Sequence, residues 1–279
     1  MNDFGIVHLK DERFDSTQTR EMQLLIKITP QRISYAIING IDNSLVVLYD
    51  SPVKDSIDAA LDDLLATISE LKSGFAKVKV SVHTPHFTLL PTQYFIITDL
   101  PEYEKLIQAG RDTKTFISSI NKDSIRCVIA LKVKDITPIT STFPDARLFS
   151  QVEPLAEIGL RLRDTNAHKL LLQFNDQSFE ACLISDEKLV FNNNYTIKNA
   201  DDFNYYLLMI REQLAIDTKN TSVILAGNIE PSDEQYKRIG KYFEDVRFAD
   251  STEIINFSKA FDQTSKHRYF SLLGLLLCE

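Results

Sequence analysis

The residues best suited to bind a metal or to act as nucleophiles are two histidines and three cysteines. His83 and His86 have His-x-x-His spacing, but no further Cys or His lies nearby and zinc takes three or four ligands. We therefore predict two loop histidines and no metal site. Cys127 and Cys182 lie in apolar patterns typical of strands, which predicts inert thiols in the core. With Cys278 the count is odd and no CxxC pair occurs, so we expect a reducing compartment and a cytoplasmic protein.

The acidic residues form no convincing catalytic pair. Asp62-Asp63 and Asp201-Asp202 fall on predicted helix surfaces or caps, where paired acids are usually solvated. The sequence contains no Gly-x-Ser-x-Gly elbow, no P-loop and no dinucleotide fingerprint. We therefore predict no catalytic residue. A charge cluster of the same solvated kind comprises Asp99, Glu102, Glu104 and Lys105.

Length and composition narrow the class of protein. The chain has 279 residues, of which 44% are hydrophobic and 25% charged, enough to build the cores of two domains. The net charge of -8 argues against nucleic acid as a partner, because neutralising phosphates requires a basic surface. No run approaches the ~18 apolar residues of a membrane span, and residues 1–20 lack the apolar run of a secretory signal.

A hairpin pattern occurs twice, 146 positions apart. In each copy an apolar strand, a short polar turn and a second strand follow one another, so that Gln31 aligns with Gln177. A third strand, an amphipathic helix and a fourth strand come next in both copies. The predicted strands are 24–28, 33–38, 45–49 and 77–82 in the first copy, and 170–174, 179–184, 189–195 and 222–226 in the second.

A second match places an insertion in the first copy. Residues 143–148 resemble residues 243–248 at an offset of 100, so the first copy carries about 46 extra residues, within 83–132. For this insertion we predict strands at 87–90, 94–98 and 125–132 and a helix at 102–109.

The predicted fold is therefore α/β, with two domains of mixed β-sheet flanked by helices. Strands joined by short turns should run antiparallel, and strands reached through helices should run parallel. We expect domain I at 1–164 with its inserted subdomain at about 83–132, domain II at 165–265, and a final helix at 266–279 that packs back on domain I.

This element order, present twice with an insertion in one copy, resembles the actin-like ATPase superfamily of duplicated ribonuclease H-like domains. The segment Thr84-Pro85-His86-Phe87 and the tail 269–275 are similar to the bacterial pilus-assembly and cell-division branch. The chain also resembles an uncharacterised bacterial family of this fold, a domain of unknown function.

The resemblance implies ATP and magnesium bound at the two hairpin turns, each usually an acid followed by glycine. The first turn, Thr29-Pro30-Gln31-Arg32, has neither, and proline carries no N–H for a phosphate. The second, 175–178, keeps one acid but no glycine. In the family a strand that ends in glycines approaches the adenosine, and one such glycine remains. If a nucleotide binds, the cofactor-binding residues implied are Thr29, Gln31, Asp176, Gln177, Gly227 and Asn228.

These departures favour a non-catalytic binding or scaffolding protein, a pseudo-ATPase with an unidentified protein partner. The alternative is a divergent ATPase or small-molecule kinase that uses Asp176 and Gly227. A nuclease is disfavoured because the first strand of each copy lacks an acid, with Lys27 and Gln173 as its polar residues. The apolar residues of the insertion either form the core of a small subdomain or line a partner groove; they are Phe87, Tyr94, Phe95, Ile96, Ile97 and Tyr103.

Overall fold

The computed structural model describes residues 5–279 as a mixed α/β protein with two compact units. The first unit runs to Pro154 and includes Ile254–Thr264 and Leu272–Glu279, and the second comprises Leu155–Glu253 and Ser265–Ser271. This division lies at residue 154, and the helix that begins at Val152 packs on the second sheet through Gly159. The strands are β1 (Val7–Lys10), β2 (Met22–Ile28), β3 (Arg32–Asn39), β4 (Ser44–Pro52), β5 (Lys77–Val82), β6 (Phe87–Pro91), β7 (Thr113–Ile120), β8 (Ile125–Lys132), β9 (Arg147–Ser150), β10 (His168–Phe174), β11 (Ser178–Ser185), β12 (Lys188–Thr196), β13 (Thr221–Gly227) and β14 (Asp245–Phe248).

Two of the α-helices begin at residues whose side chains cap the first turn. Ser56 caps the first helix by accepting a hydrogen bond from the Ala59 N–H, and Asn199 caps the longest one through the N–H groups of Asp201 and Asp202. The α-helices are α1 (Ile57–Thr67), α2 (Leu100–Leu106), α3 (Val133–Thr142), α4 (Val152–Arg161), α5 (Ala200–Gln213), α6 (Glu234–Ile239) and α7 (Phe270–Gly274).

Each unit contains a sheet with the same strand order. The order is β1-β4-β3-β2-β5-β9 in the first unit and β12-β11-β10-β13-β14 in the second. Hairpin-linked strands pair antiparallel and strands reached through helices pair parallel, as predicted. Both sheets have a register shift in the second strand of the hairpin, after Ile37 in β3 and after Leu183 in β11. These two positions are again 146 residues apart.

The segment between β5 and α3 forms a sheet of its own, with the order β6-β8-β7. Residues 94–98 do not form the strand that the sequence predicts. They run from the end of one 3-10 turn, Thr92–Tyr94, into the start of another, Ile97–Asp99. Between the two turns the Ile96 N–H donates to the Tyr103 hydroxyl, which favours this irregular path over a strand. The strand β7 was missed, since its apolar and polar residues do not alternate regularly.

A clamp of three residues holds the two ends of this insertion together. The side-chain amide of Gln151 accepts from the Thr84 N–H at 2.9 Å and donates to the Thr84 carbonyl at 2.8 Å. The Thr84 hydroxyl in turn donates to the Ala130 carbonyl at 2.8 Å. Thr84 therefore joins the start of the insertion both to its last strand, β8, and to the residue that follows β9.

The last helix is shorter than the predicted 266–279. Residues 266–269 form a turn, because the His267 carbonyl accepts the Gly227 N–H and the His267 ring donates to the Ile229 carbonyl. The helix begins at Phe270, and beyond it Lys79 of β5 donates to the carbonyls of Leu276 and Cys278.

Candidate functional site

The first hairpin turn, between β2 and β3, is closed by its own groups. The Thr29 N–H donates to the Arg32 carbonyl at 2.9 Å, and the Arg32 N–H donates to the Thr29 hydroxyl at 2.9 Å. Pro30 has no N–H, and the N–H groups of Thr29 and Arg32 are already bonded within the turn. A phosphate cradle needs several successive N–H groups that point the same way, and this turn does not supply them.

A buried ion pair lies directly behind this turn. The Arg32 guanidinium donates to Asp50 Oδ1 at 2.9 Å, and the Ser34 hydroxyl donates to the same oxygen. Arg32 and Asp50 are both buried. Because a buried charge needs a partner, Asp50 fixes the position of the Arg32 side chain and links the start of β3 to β4.

The second hairpin turn, between β10 and β11, contains one acidic residue, and its carboxylate accepts a hydrogen bond from another side chain of the second unit. Asp176 Oδ1 accepts from the Asn228 side-chain amide at 2.7 Å. The Asn228 main-chain N–H donates to the Phe174 carbonyl at 2.9 Å, which fixes the end of β13 beside the turn. The carboxylate is therefore one half of a link between two strand ends.

Gly227 ends β13 in a conformation that requires glycine. Its φ is +82°, and a Cβ there would lie 2.0 Å from the Phe174 carbonyl oxygen and 2.2 Å from Gln173 Nε2. Its N–H donates to the His267 carbonyl at 2.9 Å. The close approach that the glycine permits is therefore to neighbouring protein groups.

These contacts test whether ATP and magnesium fit the implied residues. The one acid is bonded to Asn228, and the space beside Gly227 is filled by Phe174 and Gln173. Phosphoryl transfer needs a carboxylate open to the metal and N–H groups open to the phosphates. The six implied residues supply one carboxylate, whose Oδ1 is already bonded to Asn228, and the first turn has no N–H at Pro30.

Within each unit the structure places the predicted residues at one hairpin turn and its neighbouring strand end. Asp176 and Asn228 touch each other, with Gly227 next in the chain. Gln177 is exposed at the same turn, and its carbonyl accepts from the Ile197 N–H. Thr29 and Gln31 share the turn of the other unit.

A comparison of the sequence with protein-family models decides the family. Residues 11–246 match the model described as "Protein of unknown function (DUF3822)". This chain is a DUF3822 protein. None of the curated proteins compared with it matches it.

Solved structures show the fold of this DUF3822 protein. A Bacteroides thetaiotaomicron protein described as having an actin-like ATPase fold and unknown function matches with a TM-score of 0.81 and 19% identity, over 95% of this chain and 99% of that one. A chain of the PilM–PilN type IV pilus biogenesis complex matches at 0.62 and 12%, over 92% and 98%. The ethanolamine utilization protein EutJ from Carboxydothermus hydrogenoformans matches at 0.51 and 6%, over 93% and 89%. The fold is the actin-like ATPase fold, as the resemblance implied.

Sequence reasoning missed the residues that occupy the DUF3822 turns. His267 lies 40 residues beyond Gly227, and nothing in its neighbourhood marks it as the partner of that glycine. Gln173 is the polar residue of an otherwise apolar strand, and this is the signal that could have found it. Its side chain is buried, and its amide donates to the Phe174 carbonyl at 3.3 Å.

A buried carboxylate of the first unit was also missed. Glu70 accepts hydrogen bonds from His8 at 2.8 Å, from the Tyr35 hydroxyl at 2.9 Å and from Lys10 at 3.0 Å. Burial alone raises the pKa of Glu70, but its backbone bond and those of Lys10, His8 and Tyr35 together lower it to about 2. The carboxylate therefore stays ionised and ties β1 and β3 to the segment after α1.

Metal and thiol chemistry find no support in the described part of the DUF3822 chain. Within residues 5–279 no group of three or more His, Cys, Asp or Glu side chains could hold a metal ion. Cys127, Cys182 and Cys278 are buried free thiols, and burial raises the pKa of Cys182 to about 12. The same residues include no helix long and apolar enough to cross a membrane.

Proposed function

We propose that this DUF3822 protein is a non-catalytic binding or scaffolding protein, a bacterial cytoplasmic pseudo-ATPase. The observation that supports it best is the link between Asp176 and Asn228 beside the filled space at Gly227. In this proposal the actin-like fold has been kept and the phosphate-binding function has been lost. Two copies of one ancestral unit account for the shared strand order and for the register shifts 146 residues apart.

The partner in this proposal is a protein segment with apolar side chains, and it binds the turns and helix α2 of the insertion. Tyr94, Ile96, Ile97 and Leu106 are 53–67% exposed and lie within one short stretch of the insertion. Beneath them a small core is already filled by other residues, among them Val128 and Ala130. Large apolar side chains that are clustered and exposed mark an interaction surface more often than an unfinished core.

The first experiment asks whether the turns bind nucleotide. The melting temperature of the protein is measured with and without Mg-ATP, together with ATP turnover. We expect no shift and no turnover. A shift of several degrees, with turnover that Asp176→Ala abolishes, would show that the protein is a divergent ATPase or kinase instead.

The second experiment asks whether the insertion carries the partner surface. The double variant Tyr94→Ser, Ile97→Ser is compared with Ile41→Ser, which removes a side chain that is 79% exposed in the turn after β3. Each protein is used as bait in a lysate, and the partners of the unchanged protein are identified. We expect the double variant to lose a partner that Ile41→Ser retains. Equal capture by both variants would contradict this surface.

A further inference from the structure

The outer edge of β12 offers hydrogen-bonding groups that no strand of residues 5–279 uses. β12 is nine residues long and ends its sheet, with β11 on its inner side. The Ile197 N–H donates inward to the Gln177 carbonyl, so by alternation Tyr195 and Asn193 also point toward β11. The main-chain groups of Asn192, Asn194 and Thr196 therefore point away from the sheet.

One local contact confirms that direction. The Asn194 N–H donates to the side chain of its neighbour Asn193 at 2.9 Å, and so it does not take part in the ladder with β11. A side chain that binds the main chain in this way shields one group of the edge. The other outward N–H and C=O groups remain as a template for another strand.

The large apolar side chains exposed in the second unit lie beside this edge. Among its described residues, 155–253 and 265–271, these are Val190 at 55% and Tyr205 at 65%. Val190 belongs to β12. The Tyr205 ring contacts Tyr206 at 5.4 Å, and Tyr206 packs on Tyr195 of β12 at 4.7 Å. The polar edge is thus bordered by apolar surface, as expected of a contact area.

The residues of β12 also suit pairing with an identical strand. Lys188 is the one charged residue of the strand, and it lies at the end that precedes the register shift. In an antiparallel pair about a two-fold axis at Asn194, Asn192 of one copy faces Thr196 of the other, and each Lys188 lies outside the paired segment. This pairing brings no like charges together and makes about four main-chain hydrogen bonds between Asn192 and Thr196 of the two copies. Two more form when each Asn194 N–H exchanges Asn193 for the other copy.

We propose that two copies of this protein associate through β12, edge to edge and antiparallel, with Tyr205 of each copy packing at the border. The interface is isologous, because the same strand serves both copies. It is a surface distinct from the inserted sheet, and it does not depend on the function proposed above.

Two substitutions in β12 test this dimer and have opposite expected effects. Asn194→Pro replaces the outward N–H, which is bonded to Asn193, with a proline ring; an edge strand tolerates this change, but the ring blocks the approach of a second copy. Asn193→Ala frees the Asn194 N–H and leaves the edge intact. Sedimentation velocity over concentrations up to about 1 mM should show a dimer for the unchanged protein and a tighter dimer for Asn193→Ala, whose Asn194 N–H is free to pair. For Asn194→Pro the dissociation constant of the dimer should rise by roughly tenfold or more, while the melting temperature stays unchanged.

The proposal is overturned if the unchanged protein is a monomer at every concentration, or if Asn194→Pro dimerises as tightly as it does. Should Asn194→Pro fail to fold, Tyr205→Ser and amide exchange of the unchanged protein decide. The dimer predicts that Tyr205→Ser weakens association and that the Asn192 and Thr196 amides gain protection as concentration rises. The proposal is also overturned if both amides still exchange fast at high protein concentration. This holds even if another protein is found to protect them.

Discussion

The two sheets order their strands identically but finish their outer edges in opposite ways. In the first unit β1 pairs with β4 from Val7 to Lys10, and Asn256 continues the cover by accepting the Leu45 N–H. In the second unit β12 occupies the place of β4, and no strand of residues 5–279 lies outside it. The strand order thus belongs to the repeated elements, whereas the cover of the edge comes from segments outside them.

The covering strand also changes the chemistry of the first unit. β1 supplies His8 and Lys10 to the buried Glu70, so the closed edge includes a charge network. The second unit has a cluster of aromatic rings at the corresponding hairpin, with centroids 4.7–6.5 Å apart. Its members are Phe174, Phe179, Tyr195, Phe203 and Tyr206. We therefore expect the two units to respond differently to substitution and to pH.

The largest difference should come from Gly227, because the second hairpin is held by a main-chain approach. In Gly227→Ala the new Cβ would overlap the Phe174 carbonyl, and φ would remain positive. We expect the free energy of unfolding to fall by about 4 kcal/mol, measured by urea denaturation. The matched control is Gly74→Ala, since a Cβ added at Gly74 would have no other atom within 4 Å. A Gly227→Ala protein as stable as the control would show that the contact is easily relieved.

Glu70 should make the first unit sensitive to acid. Its pKa is about 2 in the folded protein against 4.5 ordinarily, so its stabilising effect is complete above pH 4.5 and is lost as the pH falls toward 2. The full effect is ~3 kcal/mol by that shift. Glu70→Gln should lower the stability at pH 7 by a similar amount and flatten its decline in acid, measured by denaturation at several pH values.

The control for that experiment is Glu12→Gln, which changes an exposed glutamate next to β1. It should leave both the stability at pH 7 and the acid profile unchanged. If Glu70→Gln and Glu12→Gln had the same acid profile, the comparison between a charged and an aromatic unit would lose its basis.

The smallest of these effects should come from Thr29, which closes the first turn with a side chain. Thr29→Val keeps the shape and removes a buried hydroxyl that accepts the Arg32 N–H. We expect a loss of about 1–2 kcal/mol, because the buried hydrogen bond between the Thr29 hydroxyl and the Arg32 N–H is removed. Thr29→Ser should restore most of the stability in the same denaturation assay, and a variant Thr29→Ser as unstable as Thr29→Val would assign the loss to packing.

The sequence was a good guide to the repeated elements. Apolar runs such as 24–28 and 170–174 predicted β2 and β10 closely, because a strand buried on both faces is strongly apolar. The strand directions followed from the lengths of the connections. The insertion was harder, since Tyr103 reaches back to the Ile96 N–H and overrides the β propensity of residues 94–98.

The candidate site was less accessible from the sequence than the fold. The sequence shows that both turns lack glycine, but it does not show which residues contact the turns. Asp176 meets Asn228 across 52 positions and Gly227 meets His267 across 40, and no local pattern reports contacts of that range. The cover of β4 by Asn256 is of the same long-range kind.

The clamp formed by Thr84, Gln151 and Ala130 has a consequence for how the chain was assembled. Entry and exit of the inserted sheet lie one hydrogen bond apart, so closing the parent sheet without the insertion would cost little chain entropy. The insertion can therefore be treated as a cassette. Its surface is free to diversify, or the whole segment to be exchanged for another, while the strands that carry it keep their pairing.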